Sequence, residues 1–329
     1  MEDKVDNLAS APLVTFALIT YNQEQFVSDA IEGAFSQSYH PLEILLSDDC
    51  SSDGTYKILK NAAEKYRGPH SIKVNRNVKN LGLVGHINKV FEISSGEIIV
   101  AAAGDDISLP ERTDLIVRKF VEESSLLVHS FAHEINNAGN ETGRILPDRR
   151  TFKNTSVRSA ALSHAVYLGA TGAWSKELFE IYGQLTFSNA YEDLTLGFRA
   201  ILEDRIGSLP IPLVKYRSTS GMSSQFQVYK GWRHLWRQKL RYLEVRYDVL
   251  RQRQTDCQLS DKDTSQLRSI LRLVTRNVGI KIRFYKNPRS TPQLLREYGF
   301  AAARLLTIEL AFLARKIIAG NFNNLHSQK

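Results

Sequence analysis

The sequence has little that would hold it together or anchor it by covalent or membrane means. Only Cys50 and Cys257 occur in 329 residues, which leaves no disulfide framework or thiolate metal site and fits a reducing, cytoplasmic setting. The polar stretch Met1–Ser10 lacks the apolar run of an export signal. The longest apolar stretch, 299–320, is interrupted by Arg304, Glu309, Arg315 and Lys316, which argues against a membrane-spanning helix. There is no glycine triad after the first strand, no Walker sequence and no Gly-x-Ser-x-Gly elbow. Those absences weigh against dinucleotide-dependent oxidoreductases, P-loop ATPases and serine hydrolases.

Charge is plentiful but divided. Residues 230–329 carry 21 Lys and Arg against 7 Asp and Glu, a net +14, whereas the first 229 carry 22 against 28, a net −6. An acidic part that binds an anionic ligand calls for a metal, while a basic part suits an anionic surface such as lipid headgroups or nucleic acid.

Along the first hundred residues apolar runs alternate with helical patterns. Strands are expected at 14–19, 42–46, 72–74 and 98–103, with helices over 21–37, 55–66 and 85–93. Asn22 with Gln25 would cap the first helix. Such a β–α succession implies a mostly parallel, Rossmann-like sheet flanked by helices, with ligands beyond the carboxyl ends of the strands. Polar groups stand at those ends: Thr20 and Tyr21, then Asp48 and Asp49, then Asp105 and Asp106.

From about residue 230 the pattern becomes long, basic and helical, divided by Pro288 and Pro292. Trp232, Leu235, Trp236, Leu240, Leu243 and Tyr247 form an apolar stripe at spacings of three and four. The expected domains are a tail over 1–10, an α/β domain over 11–227 and a helical extension over 228–329.

Adjacent carboxylates at 105 and 106 repel unless a cation relieves them, so Asp105 and Asp106 are candidate ligands for Mn or Mg, against a plain helix-capping turn. Asp48 and Asp49 can accept hydrogen bonds from a base or ribose, against Asx-turn formation with Ser51, Ser52, Asp53 and Gly54. Glu192 and Asp193, just ahead of a helix at 194–202, either complement a helix N-terminus or supply a general base. His129 and His133 have the spacing of two ligands on one helix, but Ser130 stands where a metalloprotease has Glu, so packing is the better reading.

At this point the sequence resembles family 2 glycosyltransferases of the GT-A fold. Residues 14–59 resemble that family's opening segment nearly position for position. Asn80-Leu81-Gly82, the segment 103–110, Tyr191-Glu192-Asp193 and Tyr216-Arg217 follow in the family's order. The resemblance implies an inverting enzyme moving a sugar from a nucleotide-diphosphate donor to a hydroxyl of a glycan or lipid-linked acceptor, in cell-surface polysaccharide synthesis. It implies that Thr20, Tyr21 and Asp49, with Asp48 close by, contact the nucleotide. Asp105, helped by Asp106, would hold the metal, and Asp193 would be the catalytic base with Glu192 in support. Arg217 would bind phosphate, since Thr219 stands where relatives often carry a His, against a structural arginine at a strand end. The segment 168–175 is similar to the family's acceptor-side loop, which makes Gly169 a point of close approach and Trp174 a stacking surface, against a plain turn with a core Trp.

For the basic helices an anionic membrane surface is an expected partner, against intramolecular packing or a homodimer with solvated arginine faces; nucleic acid is not expected, because the aromatics fall on the apolar stripe. The competing reading is a catalytically silent nucleotide-sugar or nucleic-acid binding module.

Overall fold

The computed structural model describes residues 11–147, 156–218 and 232–326, with side chains to residue 315. The expected tail 1–10 and Thr219 lie outside them. The chain divides into two units, one of Met1–Ser188 with Glu192–Gly221 and one of Asn189–Tyr191 with Met222–Lys329.

The first unit opens with β1 (Val14–Thr20), α1 (Val27–Phe35), β2 (Leu42–Asp48), α2 (Thr55–Lys65), β3 (Ser71–Arg76), α3 (Gly82–Ile93) and β4 (Ile98–Ala103). Their strands pair in parallel in the order β3-β2-β1-β4. The uncharged run of β1 suits burial on both faces, and Phe16, Leu18, Ile44, Leu46, Val100 and Ala102 supply the core. Glu43, a charge within β2, is buried with Thr15 Oγ1 (2.8 Å), Ser95 N (2.9 Å) and Ser95 Oγ (2.7 Å) donating to its carboxylate.

The chain continues through β5 (Ile107–Ser108), α4 (Arg112–Glu123), β6 (Leu127–Ile135), β7 (Glu141–Leu146), α5 (Val157–Leu162), β8 (Gly172–Ser175), α6 (Glu177–Tyr182), α7 (Glu192–Leu202) and β9 (Ile206–Arg217). Strand β8 runs antiparallel between β4 and β6, β9 lies parallel to β6, and β5 and β7 are antiparallel additions. The result is one nine-stranded sheet with a parallel half and a mixed half.

Two local expectations are corrected here, and the two histidines are placed. The first helix starts at Val27 rather than residue 21, because Asn22 adopts a left-handed backbone (φ 52°) and its Oδ1 accepts a hydrogen bond from Ser52 N at 2.9 Å instead of capping. Glu192 and Asp193 are the first two residues of α7, not a loop ahead of it. His129 and His133 lie on β6, where period-two geometry, not helical spacing, puts them on one face.

The second unit is helical: α8 (Trp232–Leu259), α9 (Ser265–Lys286) and α10 (Thr291–His326), the last broken at Gly299, where φ 54° and ψ −133° interrupt the helix. Pro288 opens the 3₁₀ turn Pro288–Ser290, and Pro292 occupies the first turn of α10, so the two prolines mark the division between helices. The expected apolar stripe of α8 is only partly the inner face. Trp232 is 57 % exposed, whereas Leu243, Val249, Leu250 and Cys257 are buried together with Arg246, Gln252, Arg253 and Asp256. Charged residues lie inside because they have partners: Gln252 Nε2 donates to Asp256 Oδ1 at 3.0 Å. Likewise Glu309 of α10 accepts from Lys281 Nζ (2.5 Å) and Tyr285 Oη (3.1 Å) of α9. Among the described residues no helix is long and apolar enough to cross a membrane.

Candidate active site

The carboxyl ends of β1, β2 and β4 are tied to one another by main-chain hydrogen bonds. Asp49 N donates to Thr20 O at 2.9 Å, and Gly104 N donates to Ile19 O at 3.1 Å. The parallel register therefore brings Thr20, Asp48, Asp49 and the Gly104-Asp105-Asp106 turn to one edge, with Tyr21 beside them and half-exposed.

The two carboxylates after β2 have separate tasks. Asp48 is fully buried and accepts from Ser51 N (2.9 Å) and Ser51 Oγ, with Arg76 Nε 3.5 Å away, so it holds the turn that follows. Asp49 Oδ1 accepts from Asn77 Nδ2 (2.8 Å) and Leu81 N (2.9 Å), which fastens the start of α3 to the end of β2. Beneath them Ser47 Oγ lies 2.7 Å from His86 Nε2 and accepts from Asn75 Nδ2 at 3.0 Å. Burial lowers the His86 pKa, which favours the neutral ring.

The Asp105-Asp106 turn is held from two sides. On one, Gln23 Nε2 donates to Asp105 Oδ1 at 2.9 Å while Gln23 N donates to Thr55 Oγ1 at 2.8 Å. On the other stands Arg217, 1 % exposed. Its main-chain N donates to Asp106 Oδ1 (2.8 Å), its Nε to Asp105 O (3.0 Å) and its Nη1 to Asn136 O and Asn137 O (2.8 Å each). Its guanidinium also lies 4.5 Å from the centre of the Phe26 ring. This placement corrects the expectation of a phosphate ligand: a guanidinium enclosed in this way positions the acidic turn from behind.

A second enclosed cation links that turn to the other half of the edge. Arg112 is fully buried; its Nη1 donates to Ser108 Oγ (2.8 Å) and its Nη2 to Ala101 O (2.7 Å) and Ala170 O (3.2 Å). Burial lowers its pKa to about 9, against the pull of Asp106. Asp106 itself is raised well above the carboxylate range, by burial first and by the charge of Asp105 second.

The loop that Arg112 grips carries Gly169, and a methyl group there would stand 2.6 Å from Glu192 Oε1 and 3.5 Å from Asp193 Cβ. The absence of a side chain is therefore what lets the loop rest on the acidic start of α7. Burial and the neighbouring Asp193 push the Glu192 pKa up to about 8. Tyr167 lies within the electrostatic reach of both acids, and its hydroxyl accepts from Trp174 Nε1 at 2.9 Å. Trp174 is 1 % exposed and stacked on Phe91 at 5.5 Å, so it fills the core behind β8 and offers no face to a sugar, contrary to expectation.

The structure thus gathers Thr20, Asp49, Asp105, Asp106, Gly169, Glu192 and Asp193 along linked strand ends, and sets Asp48, Arg217 and Trp174 behind them. Sequence reasoning missed Gln23, His86, Arg112 and Tyr167. None carries a local signal: Arg112, in the first turn of a helix, is indistinguishable in sequence from a solvated arginine.

The family profile described as "Glycosyl transferase family 2" matches residues 15–180, half of the chain. EpsE of Bacillus subtilis (strain 168), named as a glycosyltransferase, is 36 % identical over 105 residues, covering 32 % of this chain and 37 % of EpsE. WfgD of Escherichia coli, a UDP-Glc:alpha-D-GlcNAc-diphosphoundecaprenol beta-1,3-glucosyltransferase, is 26 % identical over 151 residues, covering 46 % of this chain and 57 % of WfgD. The chain thus spans less than two thirds of each of these relatives. In fold it is similar to the mannosyltransferase PcManGT from Pyrobaculum calidifontis in complex with GDP-Man and Mn2+, at 16 % identity and a TM-score of 0.54 over 98 % of this chain and 89 % of that one. The chain belongs to glycosyl transferase family 2 and has the GT-A fold of that family's transferases.

Proposed function

We propose that this glycosyltransferase moves a sugar from a nucleotide-diphosphate donor to a hydroxyl of a glycan or lipid-linked acceptor, with inversion, in the synthesis of a cell-surface polysaccharide. One observation carries the reading: Arg112 joins Ala101 and Ser108, on the strands either side of the Asp105-Asp106 turn, to the loop that rests against Glu192 and Asp193, so a donor-side and an acceptor-side acidic group lie at one end of the sheet. The nucleotide sugar in PcManGT's complex and the lipid diphosphate in WfgD's name support the donor and acceptor classes.

In this reading Thr20, Tyr21 and Asp49 border the nucleotide, while Asp48 and Arg217 hold the loops that present it. Asp193 takes the proton of the acceptor hydroxyl as that oxygen attacks the anomeric carbon. Glu192, protonated at neutral pH, adds no second negative charge beside it. Attack opposite the leaving diphosphate inverts the anomeric centre.

The residues fit a divalent ion. Asp105 and Asp106 are adjacent buried carboxyls, and burial first and the charge of Asp105 second raise the Asp106 pKa; a hard divalent cation held by them would relieve that cost. Among the described residues no group of three or more His, Cys, Asp or Glu could hold a metal, so the remaining ligands would be phosphate and water, as suits Mg or Mn. The chemistry such an ion supplies is neutralisation of charge on the departing diphosphate. The structure of PcManGT with Mn2+ supports this choice.

The test is donor turnover by the full chain against a panel of nucleotide sugars, with Mn, Mg or EDTA. Hydrolysis or transfer that needs the metal, and that Asp105→Ala and Asp193→Asn each abolish while both variants stay folded, is the expected result. Turnover undiminished in Asp193→Asn would overturn the assignment of the base, and the absence of nucleotide-sugar binding by any chain would overturn the transferase reading.

A further inference from the structure

Beyond the Gly299 break, α10 has two faces of opposite character. Ala302, Leu306, Glu309 and Leu313, at spacings of four, three and four, are buried. Opposite them Phe300 is 82 % exposed and Ile308 52 %, with Arg304 and Arg315 exposed among them, while Leu310 and Phe312 lie on the two flanks and the Phe312 ring carries Lys239 Nζ of α8 at 4.5 Å. Glu309 is the only acidic residue between Tyr298 and Lys329. It lies on the inner face, held by Lys281 and Tyr285. The outer face therefore combines large apolar side chains with guanidinium groups and no carboxylate.

We infer that this face of α10 docks on an anionic lipid surface. Apolar side chains interleaved with arginines match the boundary of a bilayer, where rings and aliphatic groups enter the acyl region and guanidinium groups meet headgroup phosphates. Two other occupants suit the face less well. A second copy would bring two units of net +14 together. An RNA backbone would use the arginines but gain nothing from Phe300 and Ile308. The length of the exposed stripe suits a helix lying in the interface plane, not crossing it. The purpose of such docking, delivery of the site to a lipid-linked acceptor, rests on the proposed function; the surface itself does not.

The experiment is flotation of the full chain with vesicles of phosphatidylcholine alone and of phosphatidylcholine mixed with phosphatidylglycerol. The chain is expected on the anionic vesicles only, less so at high salt. Phe300→Ser/Ile308→Ser and Arg304→Glu/Arg315→Glu are each expected to weaken binding at least about tenfold. These positions are exposed, so unfolding temperature and donor turnover in solution should stay at wild-type values. Equal binding to both vesicle types, or none, overturns the inference. So does a dimer that Phe300→Ser/Ile308→Ser returns to monomer without affecting flotation, or RNA binding lost only in the arginine variant while vesicles are ignored. Donor turnover measured in parallel without lipid reports failure of the transferase reading separately from failure of docking.

Discussion

Glu192 keeps its carboxyl proton to about pH 8 because its carboxyl is largely withdrawn from water and stands next to Asp193. The sign of the consequence follows from linkage: between the ordinary carboxylate range and about 8 the unfolded chain has released this proton and the folded chain holds it, so stability falls as pH rises through that window. Glu192→Gln should remove that slope, which urea unfolding at a series of pH values would detect, and should retain donor turnover because the amide mimics the neutral acid. His129 acts in the opposite sense. Its pKa falls to about 4 through burial, so protonation costs stability as pH drops from the ordinary imidazole value toward 4. His129→Asn should flatten an acid-side loss of up to roughly 3 kcal/mol in the same series. Both groups were visible in the sequence as residue types. Their environments were not, since burial and neighbours are properties of the fold.

At the level of elements, Arg112 is the member whose loss should reach furthest. It ties β4, β5 and the Gly169–Thr171 turn through three acceptors and opposes the charge of Asp106. Arg112→Met leaves those buried oxygens without a donor and should lower stability by about 3 kcal/mol in urea unfolding, with Arg112→Lys intermediate. Gly299 is the second such point. Its φ of 54° with ψ of −133° is a backbone region that side chains resist, so Gly299→Ala should cost about 1–3 kcal/mol. Thermal unfolding of the variant checks this. Element periods also explain the misreadings. Asn22 looked like a helix cap because its neighbours have capping chemistry, yet its hydrogen bond goes to Ser52, thirty positions on. The stripe from Trp232 to Tyr247 looked like the inside of α8, yet Arg246, Arg253 and Asp256 take part of that place because the packed helices supply partners.

For the whole molecule, a ligand that binds only the folded state raises stability by mass action. A cognate nucleotide diphosphate with Mn at one hundred times its Kd should add about 2.7 kcal/mol, reversed by EDTA and absent in Asp105→Ala, as read by a shift in unfolding temperature. The sequence alone determined the alternation of β and α segments, the acidic residues at strand ends and the concentration of positive charge after residue 230, because apolar periodicity and charge are local quantities. Only the tertiary structure decided which of those charges are enclosed and what encloses them. It turned Arg217 and Trp174 inward, assigned Asp48 to a turn, brought Gly169 against Glu192, and left Phe300 and Ile308 outside. Those outcomes depend on residues far apart in the chain competing for the same buried space and the same hydrogen bonds, which no local pattern records.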